Sequence, residues 1–247
     1  MQEFARSVCK TRVYWAPPGV DTKRFTPRAE GWDSTGYLLS VCRLGDPRKG
    51  LDRLVRSYAL MTSQRASVPS LVIAGGGELP ASLKRLIAEL GLTQRVSVRS
   101  DIPERELPPL YRGASIYLQT SYEEGLGISV IEAMASGLPV VSTETAGTRE
   151  TVVDGETGWL VDQRSDVEST VAERALSVLD FDGPTMSVSA RLRAESIFSD
   201  KATLSRFIDV YEELIGTNSV RGRHGRKIES TDHASQGGRP RRSNRTI

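Results

Sequence analysis

The sequence predicts a parallel, doubly wound α/β sheet of Rossmann-like type. Three observations predict it. Short apolar runs alternate with segments of helical spacing, glycines punctuate the element ends, and the chemistry-bearing segments fall on loops just after strands. In such sheets a ligand sits outside the carboxyl ends of the strands, so those loops are where a site is expected. The 247 residues are 38% hydrophobic and 26% charged, which excludes a wholly disordered chain and allows a proper buried core. No apolar run approaches the ~18 residues of a membrane span.

The elements follow in order. Tyr37–Cys42 is a short apolar run and reads as a strand. Leu51–Met61 repeats its apolar residues at helical spacing (Leu51, Leu54, Val55, Tyr58, Ala59). Leu71–Ala74 is a strand ending on Gly75-Gly76-Gly77, and Leu79–Leu90 is a helix stopped by Gly91. Val96 and Val98 alternate as a strand, Glu104–Arg112 is a short helix, and Ser115–Leu118 is the next strand. Ile128–Ser136 is a helix ended by Gly137, and the strand Pro139–Ser142 follows at once. Gly158–Val161 is a last strand, after which helices fill 166–179, 186–196 and 200–215.

Charge is spread unevenly. The formal net charge is +2, yet residues 217–247 hold eight Lys/Arg against Glu229 and Asp232. That tail is basic, almost free of large apolar residues, and reads as disordered. Its functional reading is contact with an anionic membrane surface; nucleic acid is the poorer fit, because no aromatic residue is there to stack on bases. His224 and His233 both lie in the tail, so histidine chemistry is excluded from the body. Cys9 and Cys42 are the only cysteines, which excludes a disulfide framework or a cysteine zinc site and points to a cytoplasmic, reducing setting. Trp15, Trp32 and Trp159 read as packing residues.

Two loops carry the chemistry. The first is Glu123-Glu124-Gly125-Leu126-Gly127-Ile128, leading into a helix that holds Glu132. Gly125 and Gly127 let the backbone approach a ligand, and the helix start offers unpaired N–H groups that suit a phosphate. Glu124 and Glu132 repel phosphate and are better used as acceptors for sugar hydroxyls. The second is Arg43-Leu44-Gly45-Asp46-Pro47-Arg48-Lys49-Gly50. Arg43 and Lys49 are two cations suited to a diphosphate, which gains negative charge as it leaves. A Gly-rich turn with solvated glutamates and a solvated basic loop are the bland alternatives. Asp180-Phe181-Asp182 matches a metal-binding Asp-x-Asp pattern but falls in a polar stretch between helices, which favours chance.

Together these residues resemble glycosyltransferase family 4. Arg43 with Lys49, Glu124 with Glu132, and the Glu-Ala-Met-Ala-Ser-Gly-Leu-Pro-Val continuation are similar to the family's motifs. So are Pro17-Pro18-Gly19-Val20-Asp21, Gly75-Gly76-Gly77-Glu78 and Gly155-Glu156-Thr157-Gly158-Trp159. The resemblance covers roughly residues 12–216 and implies half of a GT-B fold. Its domains would be a segment and inter-domain linker over 1–35, a nucleotide-sugar-binding domain over 36–199, a crossing helix over 200–216 and the basic tail over 217–247. It implies a retaining hexosyl transfer with no metal and no cofactor beyond the nucleotide-sugar donor. Arg43 and Lys49 would bind the diphosphate, Glu124 the transferred sugar and Glu132 the ribose, with Arg43, Lys49 and Glu124 as the catalytic set. The backbone of Gly125, Leu126, Gly127 and Ile128 would cap the phosphates and sugar, and the base would rest near Asp101 and Ile102. The departures are Leu126 in place of an aromatic residue, Ala146-Gly147-Thr148-Arg149-Glu150 in place of Gly-Gly-x-Pro-Glu, and Pro18 in place of Asn.

The family's acceptor-binding domain, with its histidine, would precede Pro17, where this sequence has 16 residues. The expectation is therefore a donor-binding half that acts with an acceptor domain or partner chain, on a glycan or lipid-linked acceptor. The apolar stripe Leu204, Phe207, Ile208, Tyr211 and Leu214 would then be partly exposed. The alternative is a nucleotide-sugar-binding or regulatory subunit without transfer. Either would be cytoplasmic, with the tail as the peripheral membrane contact.

Overall fold

A computed structural model describes residues 6–9 and 11–223 of the chain. Six strands form its sheet: β1 (Tyr37–Val41), β2 (Leu71–Gly75), β3 (Val96–Ser100), β4 (Ala114–Gln119), β5 (Val140–Thr143) and β6 (Gly158–Val161). They pair in parallel in the order β3-β2-β1-β4-β5-β6. This is the Rossmann-like doubly wound order, in which the chain starts at the centre and winds outward in both directions. The reversal lies between β1 and β4, so the loops after these two strands open side by side.

The helices are α1 (Leu51–Gln64), α2 (Ala81–Glu89), α3 (Leu107–Arg112), α4 (Ile128–Ala135), α5 (Thr148–Thr151), α6 (Val167–Ser177), α7 (Gly183–Ile197) and α8 (Asp200–Arg223). Strand residues alternate between the two faces. Leu38, Leu71, Ile73, Ile116 and Leu118 pack under α1, α2 and α6. Leu39, Val72, Ala74 and Tyr117 pack under α3, α4 and α7. Both faces are covered, which explains why β1, β2, β4 and β5 read as apolar runs without clear alternation. Each fully buried Leu or Ile contributes about 2 kcal/mol. The edge strand β3 is mostly exposed, and it is the strand whose sequence alternates.

The segment before β1 packs onto the second face. Val20 and Phe25 are core residues. Val20 N–H donates to Phe198 O at 2.8 Å, and Asp200 N–H donates to Val20 O. The three tryptophans pack as expected: Trp15 donates to Glu150, Trp32 to Ser115 O and Trp159 to Asp182.

Several boundaries differ from the sequence reading. The one-turn α5 has no apolar periodicity; it forms because Thr145 and Thr148 exchange side-chain and backbone hydrogen bonds at its start. The polar stretch around Asp180 is a π-helical turn, Val178–Asp182, that joins α6 to α7. The Glu104–Arg112 helix splits into a 3-10 turn at Glu104–Glu106 and α3. α8 continues to Arg223, past the expected boundary at 216, since elongating a formed helix fixes one residue per added bond. The rest of the basic tail lies outside the described residues. The chain divides into two compact units, 1–207 and 208–247. Leu204 and Phe207 of the first unit are exposed, as are Ile208, Tyr211 and Leu214 of the second. No helix among the described residues is long and apolar enough to cross a membrane.

Candidate functional site

The loop after β1 is built around Asp46. Its carboxylate caps the 3-10 turn Pro47–Lys49 by accepting from Arg48 N–H, and it accepts two more bonds from the Arg48 side chain. Arg43 adds an ion pair to Asp46 at 3.1 Å. The hydrogen bonds from Arg48 hold the Asp46 carboxyl down at about 2. Gly50 then turns the chain into α1 at φ 58°, and a Cβ there would lie 2.2 Å from Thr120 O. Only glycine fits both conditions. Thr120 Oγ1 donates to Gly50 O at 2.7 Å, and Tyr122 N–H donates to Arg48 O at 2.7 Å. The two loops at the reversal of strand order are thus laced together.

This lacing brings Lys49 to Glu124. Lys49 Nζ donates to Glu124 Oε2 at 2.7 Å, with the two side chains only 16% and 15% exposed. Gln119 at the end of β4 also donates to Glu124, at 3.4 Å. The Glu124 carbonyl accepts from Gly147 N–H at the start of α5. The unforeseen helix therefore supports the loop that carries Glu124.

Gly127 caps α4 at φ 82°, a left-handed conformation that aims the first turn of the helix at the loops. The N–H groups of Ile128 and Ser129 have no acceptor within the helix. Glu132 follows on α4, where Tyr111 Oη donates to its Oε2 at 2.8 Å. Burial pushes the Glu132 carboxyl up, and the Tyr111 hydrogen bond partly offsets it. Ser129 is fixed in turn by Tyr117, at 2.9 Å. Across the cleft, Asp101 stands at φ 50° and its Oδ1 accepts from Gly77 N–H at 2.9 Å, which ties the loops after β2 and β3 together.

Together these residues line a cleft of about 800 Å³ at the carboxyl edge of the sheet. Arg43, Lys49, Asp101, Ile102, Glu124, Leu126, Gly127, Ile128 and Glu132 all face it. Gly125, next to Glu124 in the same loop, does not line it. The geometry of two of these residues is specific. Arg43 is largely exposed at the rim, with 70% of its side chain accessible. Glu124 is an ion-pair partner of Lys49 rather than a free acceptor. Just before Glu124, Tyr122 lines a separate cleft of about 590 Å³ beside α1 and α2, and Ser121 is buried. Cys42 borders the main cleft, where burial pushes its thiol up to about 12, so it stands there as a neutral thiol.

Sequence reasoning missed Tyr111, Gln119 and Ser129. Tyr111 and Gln119 lie on elements whose apolar pattern reads as core, and only the folded chain shows their buried polar ends meeting the cleft carboxylates Glu132 and Glu124. Asp180-Phe181-Asp182 is structural. Asp180 pairs with Arg65, while Asp182 Oδ2 accepts from Ser177 at 2.6 Å and from Trp159 at 3.2 Å.

The sequence and fold are similar to those of known proteins. The family described as "Glycosyl transferases group 1" matches residues 23–180. A GDP-mannose-dependent alpha-(1-6)-phosphatidylinositol monomannoside mannosyltransferase of Mycolicibacterium smegmatis is 37% identical over 59% of this chain and 42% of its own length. A D-inositol 3-phosphate glycosyltransferase of Salinispora arenicola is 32% identical over 83% of this chain and 50% of its own. The solved sucrose-phosphate synthase of Thermosynechococcus elongatus superposes with a TM-score of 0.73 at 27% identity, over 87% of this chain and 57% of that one. The chain thus spans about half the length of the curated relatives it matches. The family match runs from the segment before β1 into the π turn after α6 and includes both laced loops: the chain belongs to the group 1 glycosyl transferases, and its fold is that of a GT-B half.

Proposed function

We propose that the cleft binds a nucleoside-diphosphate hexose and that the chain is the donor-binding half of a retaining glycosyltransferase. The observation that carries this reading is the convergence of Lys49, Arg43, the α4 N-terminus and Glu132 on one cleft at the reversal of strand order. The diphosphate would lie between the two cations and the N–H groups of Ile128 and Ser129. Lys49 has three donors, and Glu124 takes one of them, so two remain for phosphate oxygens. As the sugar leaves, charge grows on the diphosphate, and these fixed donors stabilise it without reorganising.

Glu132 would accept from the ribose hydroxyls and Glu124 from the transferred sugar, and the base would rest against Asp101 and Ile102. The name of the Mycolicibacterium relative supplies one such donor, GDP-mannose. Transfer would take an acceptor-binding domain, in the same polypeptide or a partner chain, and would proceed without a metal at the diphosphate. The acceptor would be a glycan or a lipid-linked sugar.

The test combines the chain with an acceptor-binding domain from a relative and follows label from GDP-mannose, UDP-glucose and UDP-N-acetylglucosamine, with a chelator present. Product with a retained anomeric configuration supports the reading. Tight donor binding with no transfer to any acceptor would instead favour a sensor or regulatory subunit.

A further inference from the structure

Glu132 is held by one side chain from beneath the cleft. The Tyr111 hydroxyl is fully buried, and its hydrogen bond goes to Glu132 Oε2 at 2.8 Å. Among the described residues no hydrogen bond reaches Glu132 Oε1. The Tyr111 ring is fixed on both sides. Phe25, from the segment before β1, meets it edge-on at 5.6 Å, and Tyr117 of β4 lies 6.1 Å away. Tyr111 therefore has one orientation, and its hydroxyl sits where a phenylalanine would pack equally well. A buried hydroxyl with a single partner is costly to keep unless the pairing is made, so its place beneath a cleft carboxylate asks for a reason.

We propose that Tyr111 is a positioning residue: it ties down Glu132 Oε2 and so presents Oε1 to the cleft as the acceptor for the ribose hydroxyls of a bound nucleotide. The proposal rests on the nucleotide reading of the cleft. Electrostatics point the same way. Burial raises the Glu132 carboxyl; Tyr111 and then Arg24 pull it down, and Glu104 opposes them. Tyr111, Arg24 and Glu104 are the polar and charged groups that act on Glu132 from the elements around it. Tyr111 itself stays protonated, because burial and the neighbouring carboxylate both raise it. Without its hydroxyl, Glu132 takes up a proton at a higher pH and loses strength as an acceptor.

The experiment measures binding of GDP and UDP, each beside its 2′,3′-dideoxyribose counterpart (the deoxyribose form), to wild type and Tyr111→Phe by calorimetry across pH ~5–8. With whichever nucleotide the wild type binds, the variant is expected to bind the ribose form about tenfold more weakly. The deoxyribose form should bind the variant and wild type alike, and the acid limb of ribose binding should move to higher pH. Equal weakening of both forms with an unmoved limb means a merely structural role and overturns the proposal. So does wild-type behaviour of the variant. If Tyr111→Phe does not fold, a ring-fluorinated tyrosine at this position, a stronger donor, should move the limb to lower pH, and an unmoved limb overturns the proposal. A wild type that binds neither nucleotide overturns the nucleotide reading itself, a different outcome from those above.

Discussion

Lys49 and Glu124 lie 75 residues apart in sequence, and their side chains meet at 2.7 Å with most of their surface withdrawn from water. The pair exists because β1 and β4 are neighbours in the sheet and Gly50 packs against Thr120. A largely buried carboxylate left without its cation is expensive. Lys49→Ala should therefore destabilise the chain by about 1–3 kcal/mol, as well as removing a proposed phosphate ligand. Arg43→Ala, at the exposed rim, should weaken nucleotide binding with little change in melting temperature. Thermal melts of the two variants beside nucleotide titrations separate these effects.

Gly50→Ala places a methyl group 2.2 Å from Thr120 O at a left-handed φ. The backbone must move to relieve it. A loss of more than about 2 kcal/mol is expected, with nucleotide binding falling too because Lys49 shifts with the loop. Urea denaturation measures the first effect. A variant as stable as wild type would mean that the two loops are not laced as described.

Glu132 sets a trade between stability and binding. Burial raises its carboxyl above the ordinary 4.5 in the folded state. The folded chain therefore holds this proton more tightly than the unfolded chain does. Ionisation at neutral pH works against folding, and that penalty disappears as pH falls through the raised value to below 4.5. Glu132→Gln keeps an acceptor for Tyr111 and carries no charge. It should melt higher than wild type at neutral pH, lose that advantage in acid, and bind the ribose of a nucleotide more weakly. Melting curves across pH check the sign.

The Asp-x-Asp stretch gives the opposite contrast. Asp182→Ala leaves Trp159 and Ser177 without their shared acceptor. About 1–2 kcal/mol of stability should be lost, with nucleotide affinity and its response to divalent cations unchanged. Any metal-dependent loss of binding in this variant would reopen the metal reading.

The architecture was legible because each buried strand is a short apolar run and each major helix repeats its apolar residues at helical spacing. The lining of the cleft was legible where its residues bear charge or lack a side chain, as with Arg43, Lys49, Glu124, Glu132 and Gly127. What stayed hidden is contact between distant residues. Tyr111 reads as a core aromatic, and it is one; only the pairing of α3 beside α4 shows that its hydroxyl meets Glu132. α5 is held by threonine hydrogen bonds, which leave no periodic trace. The role of Gly50 needed β1 and β4 side by side, a fact of topology rather than of local pattern.

We propose above that this cleft holds a nucleotide sugar. Its most direct test is backbone-amide NMR of the chain titrated with GDP-mannose and with UDP-glucose. Saturable shifts are expected with one of the two donors, at residues 43–50, 101–102 and 124–132, and they should be lost in Lys49→Ala. Saturable shifts centred instead on the separate cleft beside α1 and α2, or no shifts with either donor at millimolar concentration, would contradict it.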